Sequence, residues 1–211
     1  AAVSAARLSA LEGNNSLSIA VLAPVAELRV RPRFYEENVS MMVAPLTELF
    51  AELGITFIAG EAQRIDTSSK TVLYRDSNGA IAEVAWERLI LATGSQTKRP
   101  PIAGLAEYAF DIDQLDSARL FEQHLDSLVS RPSTPERNTV VVCGGGFTGI
   151  ELATELPARL RTRFGTHTKT KIIVVERGAT IGGRYSEALR NNIEEASSAL
   201  GVEWRLNSEV E

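Results

Sequence analysis

Three glycines at Gly144, Gly146 and Gly149 follow the spacing G-x-G-x-x-G, and a carboxylate, Glu176, stands at the end of the next apolar run. Together these residue types suit the capture of a dinucleotide. In that spacing Gly144 makes the tight turn, Gly146 lets the backbone approach a pyrophosphate, and Gly149 lets helix and strand pack closely. The anion then lies over unpaired N–H groups at a helix N-terminus, with Gly145, Phe147 and Thr148 completing the loop. Glu176 falls where a ribose-binding acid is expected, 27 residues past Gly149 (176 minus 149), somewhat beyond the usual gap of about 20. A polar insert, Arg161–Thr170, accounts for the extra length. An anion at Glu176 repels a 2′-phosphate, by up to about 4 kcal/mol at 4 Å and effective dielectric 20, so NADH is favoured over NADPH. Arg177 and Arg184 stand close enough in sequence to accommodate a phosphate, which leaves NADPH as the lesser alternative.

The elements that must hold this loop are legible around it. Val140–Val142 are apolar and β-branched, as a strand covered on both faces requires, and Ile150, Leu152, Ala153 and Leu156 open a helical pattern. Lys171–Glu176 and Gly201–Leu206 read as further strands, and the basic run Arg159–Lys171 as a solvated loop.

Upstream, Ala1–Leu11 reads as a helix with Val3, Leu8 and Leu11 on one face and a Gly13-Asn14 stop. A strand follows over Leu17–Leu22, an irregular segment over Ala26–Tyr35, then a helix carrying Val43, Leu46, Leu49 and Phe50, and a strand at Ile55–Ala59. Thr71–Tyr74 and Ile81–Ala85 flank an Asn-Gly turn and form a β-meander. Arg88–Ala92 reads as a closing strand and Ser117–Leu128 as a helix. The implied fold class is α/β: two Rossmann-like units with parallel sheets, plus a small antiparallel β-meander in the first.

Composition narrows the function classes. A net charge of −5 argues against nucleic acid as a partner, which calls for a basic surplus on one face. No apolar run reaches the roughly 18 residues of a spanning helix. The single cysteine, Cys143, excludes an internal disulfide and a C-x-x-C redox pair, and its place at a strand end predicts a packed thiol. His124 reads as a helix-surface residue and His167 as a loop residue; neither has metal-ligand spacing, and no metal is expected. The chain opens on a helix without a cap and stops soon after a strand, which reads as a piece of a longer protein.

Three segments carry a family resemblance: Gly144-Gly-Gly-Phe-Thr-Gly-Ile-Glu151, Leu89-Ile-Leu-Ala-Thr-Gly94 and Leu28-Arg-Val-Arg-Pro-Arg-Phe-Tyr-Glu36. Together they resemble the two-dinucleotide-binding flavoproteins of the pyridine nucleotide-disulfide oxidoreductase superfamily, within it the type II NADH dehydrogenase-like branch. The resemblance implies a partial FAD-binding domain over 1–108 and a partial NAD(H)-binding domain over 109–211. It places Thr93 and Gly94 against FAD, the backbone of Glu61 and Ala62 toward its adenine, and Arg31–Tyr35, Arg33 included, near the flavin. For Arg29, Arg31 and Arg33 a solvated alternating edge is the other reading. Glu151 is assigned the catalytic position near nicotinamide and flavin; its other reading is a first-turn acid complementing the helix dipole.

Two departures from the family pattern stand out. Leu22-Ala-Pro24 offers no acid for the FAD ribose, and Phe110–Gln114 carries acids where relatives often have lysine. The implied activity is hydride transfer from NADH to FAD and on to an external acceptor, a quinone first, with a ferredoxin- or rubredoxin-like carrier as the alternative. A non-catalytic NAD-binding redox sensor is the reading from a different class. The resemblance implies a cytoplasmic protein and admits peripheral membrane attachment through parts outside this chain, and a homodimer.

Overall fold

The computed structural model describes residues 1–11 and 17–211; the Gly13-Asn14 stop lies outside them. Among the described residues the chain divides into two compact units, Ala1–Arg29 with Val43–Ser95, and Val30–Met42 with Gln96–Glu211.

The first unit begins with helix α1 (Ala2–Leu11), strand β1 (Ala20–Ala23) and a short antiparallel ribbon, β2 (Glu27–Arg29) with β3 (Val43–Pro45). Helix α2 (Thr47–Glu52) leads into strands β4 (Thr56–Asp66), β5 (Thr71–Asp76) and β6 (Ile81–Ala85). The sheet order is β1-β4-β5-β6, with β1 and β4 parallel and the last three strands an antiparallel meander. Asp76 makes the expected turn, its Oδ1 accepting the N–H groups of Asn78 and Ala80, and Gly79 takes φ +86°. Ala6, Phe50 and Ile55 form the core, with Val21, Leu46 and Phe57 against it.

Several expectations change here. Ala6 and Ser9, not Leu8 and Leu11, are the buried residues of α1; Leu8 and Leu11 are exposed. Val43 is not helical, because Pro45 favours an extended residue ahead of it and lacks the N–H a helix needs. Arg88–Ala92 forms no strand: no strand among the described residues hydrogen-bonds to it, and Ile90 and Leu91 stay 68% and 65% exposed. β-propensity expresses itself through cross-strand neighbours, and an unpaired run gains nothing from it.

The second unit contains α3 (Leu105–Tyr108), α4 (Leu115–Ser127), β7 (Thr139–Cys143), α5 (Phe147–Phe164), β8 (Lys171–Val175), α6 (Glu187–Ala199) and β9 (Val202–Arg205). Its sheet, β7-β8-β9, is parallel throughout. Ala153, Leu156 and Leu160 of α5 are fully buried against Val142, Ile172, Val174 and Val202, and Phe121, Leu125 and Leu128 close the other side. The apolar stripe at i, i+3 and i+7 is what makes α5 pack on the sheet.

The Val30–Met42 segment belongs with this second unit, whereas the sequence assigned all of 1–108 to the first. Phe34 and Val39 are 2% and 0% exposed within it. Three side chains fasten its backbone and charge: Arg159 donates to the Tyr35 carbonyl at 2.7 Å, Glu122 accepts the Val39 N–H at 3.2 Å, and Arg163 pairs with Glu37. Arg159 is 1% exposed and α5 runs to Phe164, so the basic run begins inside a packed helix and only its later part is loop. Cys143 is exposed rather than packed, since its place in the pleat points the side chain away from the face that buries Val142.

Candidate functional site

β7, the glycine loop and α5 build the site. Gly144 takes φ +107°, a conformation rare for L-residues, and its N–H donates to the Val175 carbonyl at 2.9 Å, which fastens the turn to β8. At Gly149 a Cβ would lie 2.0 Å from the Gly144 carbonyl oxygen, so the helix start can press on the turn only without a side chain. Gly146 is the N-cap of α5, has no side-chain capping bond, and has no atom within 4 Å of where a Cβ would stand. The first helical bond runs from Ile150 N–H to Gly146 C=O at 2.9 Å. The amides of Phe147, Thr148 and Gly149 therefore lie ahead of any intrahelical acceptor. That arrangement fits a pyrophosphate.

Glu176 closes the loop from β8. Its Oε2 accepts the Gly145 N–H and its Oε1 the Gly178 N–H, each at 2.7 Å. These two amides, Gly178 first, hold the carboxyl below its ordinary range; burial opposes them, and Arg177 and Arg184 assist. The anion expected from the sequence is therefore ionised near neutral pH. Phe147, 61% exposed, meets Tyr185 edge-on at 6.5 Å between ring centroids.

Glu151 lies one residue beyond the first turn of α5, so the dipole reading of a first-turn acid does not apply. Burial, then the charge of Glu36, raises its carboxyl above the usual range. Tyr35 is raised by its own burial and then by Glu151 and Glu36, which puts these three groups in one field. Arg33 joins them as an exposed cation, paired with both Glu36 oxygens at 2.5 Å, and its charge opposes the rise at Tyr35. Arg31 bonds the Asp113 carboxylate at 2.6 Å and Arg29 pairs with Glu27, so each of the three arginines is paired with an acid.

Because the folded carboxyl of Glu151 titrates above its unfolded value, the folded state binds the proton more tightly. The associated stability is present at low pH and is lost as pH rises through the folded value. Glu151→Gln is expected to raise Tm at about pH 8 and to leave it unchanged at about pH 4. Thermal unfolding at the two pH values checks this; an unchanged Tm at both would contradict it.

In the first unit, Glu61 lines a cavity of about 160 Å³ with Pro24, Gly60, Arg75, Asp76 and Ser77, and Ala62 follows on the same strand. Thr93 and Gly94 lie on a separate, exposed irregular segment, where Gly94 has φ +70°. The sequence did not single out Trp204, whose ring backs Gly145, or Glu36 beside Glu151. Strand pairing was the available signal for Trp204, which sits opposite Val174 in the parallel register.

A parallel Rossmann-like unit carrying this loop defines the chain as a dinucleotide-binding α/β protein. Residues 9–211 match the family model for pyridine nucleotide-disulphide oxidoreductases, and the chain belongs to that family. It is 35% identical over 216 residues to an NADH dehydrogenase-like protein of Mycobacterium tuberculosis, covering all of this chain and 52% of that protein. It is 32% identical over 158 residues to a demethylphylloquinone reductase of Synechocystis, across 75% of this chain and 37% of the other. The chain thus spans about half or less of the length of these relatives. The structure of NDH2 from Plasmodium falciparum in complex with NADH aligns with a TM-score of 0.77 at 16% identity, over 92% of this chain and 44% of that one, a likeness of fold.

Proposed function

We propose that the chain forms part of an FAD-dependent NADH oxidoreductase that takes a hydride from NADH and passes the electrons to a quinone. The observation that carries this reading is the Gly144–Gly149 loop tied to Glu176 by the 2.7 Å Gly145 N–H bond. In this reading the amides of Phe147–Gly149 hold the pyrophosphate, and Glu176 accepts the adenosine ribose hydroxyl on lone pairs its two backbone bonds leave over. Arg177 flanks that ribose. Glu61 and Ala62 border the FAD adenine beside the Pro24 cavity, and Thr93 and Gly94 lie against the flavin portion. Bound there, FAD supplies the two-electron acceptor for the hydride.

Glu151 is the residue assigned to the reacting end. Its carboxyl, raised by burial and by the charge of Glu36, holds a proton more tightly than an ordinary glutamate, which suits delivering that proton to a reduced acceptor. Residues 1–108 are the proposed flavin-side part and 109–211 the nicotinamide-side part, with Val30–Met42 packed in the second unit. Relatives named as an NADH dehydrogenase-like protein and as a demethylphylloquinone reductase support the donor and the quinone acceptor. No helix among the described residues is long and apolar enough to cross a membrane. Peripheral membrane attachment of the whole protein and a homodimer are parts of the same proposal.

The test uses the full-length protein that contains this chain. It is expected to be yellow, to bleach on anaerobic addition of NADH, and to regain its colour when a soluble quinone is added. NADPH should bleach it at higher concentration only. A colourless protein inert to NADH would sink the enzyme reading in favour of a redox sensor, and recolouring by a ferredoxin-like carrier alone would reassign the acceptor.

A further inference from the structure

We propose that Glu176 is a positioning residue for the whole pyrophosphate loop, in addition to its proposed contact with the ribose; the nucleotide-binding part of this inference rests on the dinucleotide reading above. Both carboxylate oxygens are engaged by backbone amides, Oε2 by the Gly145 N–H and Oε1 by the Gly178 N–H, each at 2.7 Å. Bonds of this length from amides to an ionised acceptor are charge-assisted and stronger than neutral ones. Gly145 is buried between this carboxylate and an indole. A Cβ there would stand 2.7 Å from Trp204 Cζ3 and 3.1 Å from Glu176 Oε2.

The backbone around Glu176 carries the tie into the third strand end. Glu176 N–H donates to the Arg205 carbonyl at 2.8 Å, Ser208 N–H to the Glu176 carbonyl at 3.1 Å, and Asn207 N–H to the Gly178 carbonyl at 3.0 Å. One residue thus joins the glycine loop after β7, the turn after β8 and the segment after β9. Of these connections only the carboxylate reaches across to the glycine loop through a side chain. The side chain therefore sets the path of Gly145, and through it the entry into Gly146 and the open amides of α5.

The consequence separates this role from ribose recognition. A carboxylate acting only on the 2′-OH matters only to ligands that have one. A carboxylate that shapes the loop matters to every dinucleotide, including one without the 2′-OH and one with a 2′-phosphate. Replacing Glu176 with a neutral residue then fails to convert the protein to NADPH, because the gain from removing like charge is offset by loss of the cradle.

Full-length protein carrying Glu176→Ala is titrated with NADH and with its 2′-deoxyadenosine analogue. Affinity for both is expected to fall about tenfold, the equivalent of roughly 1.4 kcal/mol. An unchanged affinity for the deoxy analogue beside a weakened NADH would overturn the proposal. A second measurement needs no nucleotide: amide exchange of the free protein. Gly145 and Gly178 are expected to exchange at least about tenfold faster in the variant while Ile172 and Val174 in β8 keep their protection. Unchanged exchange at Gly145 would overturn the clasp. Loss of all NADH binding by the unsubstituted protein would defeat the dinucleotide reading and leave the exchange result to decide the clasp.

Discussion

Gly149→Ala is expected to destabilise the second unit and to abolish measurable NADH binding, whereas Gly146→Ala three residues earlier is expected to weaken binding alone. The contrast follows from what each new methyl meets. At Gly149 it falls 2.0 Å from the Gly144 carbonyl oxygen and 3.1 Å from its carbon, both backbone atoms that no rotamer change can move. Relief needs α5 to draw back from β7, which opens the packing of Ala153 and Leu156 against Val142. Overpacking of this kind costs roughly 1–3 kcal/mol, occasionally more. The turn at Gly144 shifts with it, so the amide cradle loses its geometry as well. At Gly146 the backbone is extended, with φ −71° and ψ 178°, and no atom lies within 4 Å of the new methyl. Alanine fits there without strain, yet it occupies the space over the helix N-terminus that the pyrophosphate is proposed to fill. Urea unfolding and NADH titration of the two variants separate the effects. Wild-type affinity in Gly149→Ala would remove the loop from the proposed site.

The site was readable where chemistry and local geometry coincide. Gly144, Gly146 and Gly149 have fixed spacing because one turn and one helix start need them, and Val140–Val142 and Ile172–Val174 announce the strands that carry the loop and the acid. Glu176 was found for the same reason, at the end of its strand. What was not legible depends on long-range placement. Arg31–Tyr35 carries no period that says which unit it joins; its place is decided by Arg159, Glu122 and Arg163, more than eighty residues downstream. Arg88–Ala92 is apolar enough for a strand, yet strand formation needs a neighbour whose existence the segment does not encode. Likewise the helix face of α1 was assigned to its largest apolar residues, whereas the small Ala6 and Ser9 permit the close approach that buries them. The contrast recurs at Cys143, where strand position was visible and the side of the pleat was not.

Arg159 gives the other large expected effect, and its size depends on what replaces it. Its guanidinium donates to the Tyr35 carbonyl at 2.7 Å and lies 3.7 Å from Glu122 and 5.4 Å from the centre of the Phe121 ring, while Nε and Nη2 have no hydrogen-bond partner. A buried cation so sparsely bonded recovers little of its desolvation cost, which burial expresses by pushing its pKa down. Arg159→Ala removes the stem as well as the charge. It leaves a cavity among α4, α5 and the Val30–Met42 segment and strips Glu122 of its cation, at a cost of about 2–4 kcal/mol. Arg159→Met keeps most of the stem volume and deletes the poorly satisfied charge, losing the Tyr35 bond worth about 1 kcal/mol. Glu122 loses its cation here too, so the net change is expected to be a destabilisation smaller than that of alanine, by the cavity that the methionine stem fills. Both variants should expose the segment: with the carbonyl of Tyr35 released, proteolysis near Tyr35 accelerates even where global stability is kept, because local opening needs only the segment's own contacts to break. Denaturant midpoints set beside cleavage rates test the two parts separately. Equal destabilisation by methionine and alanine would assign the stability to the ionic contacts, and unchanged cleavage in both would free the segment from dependence on Arg159.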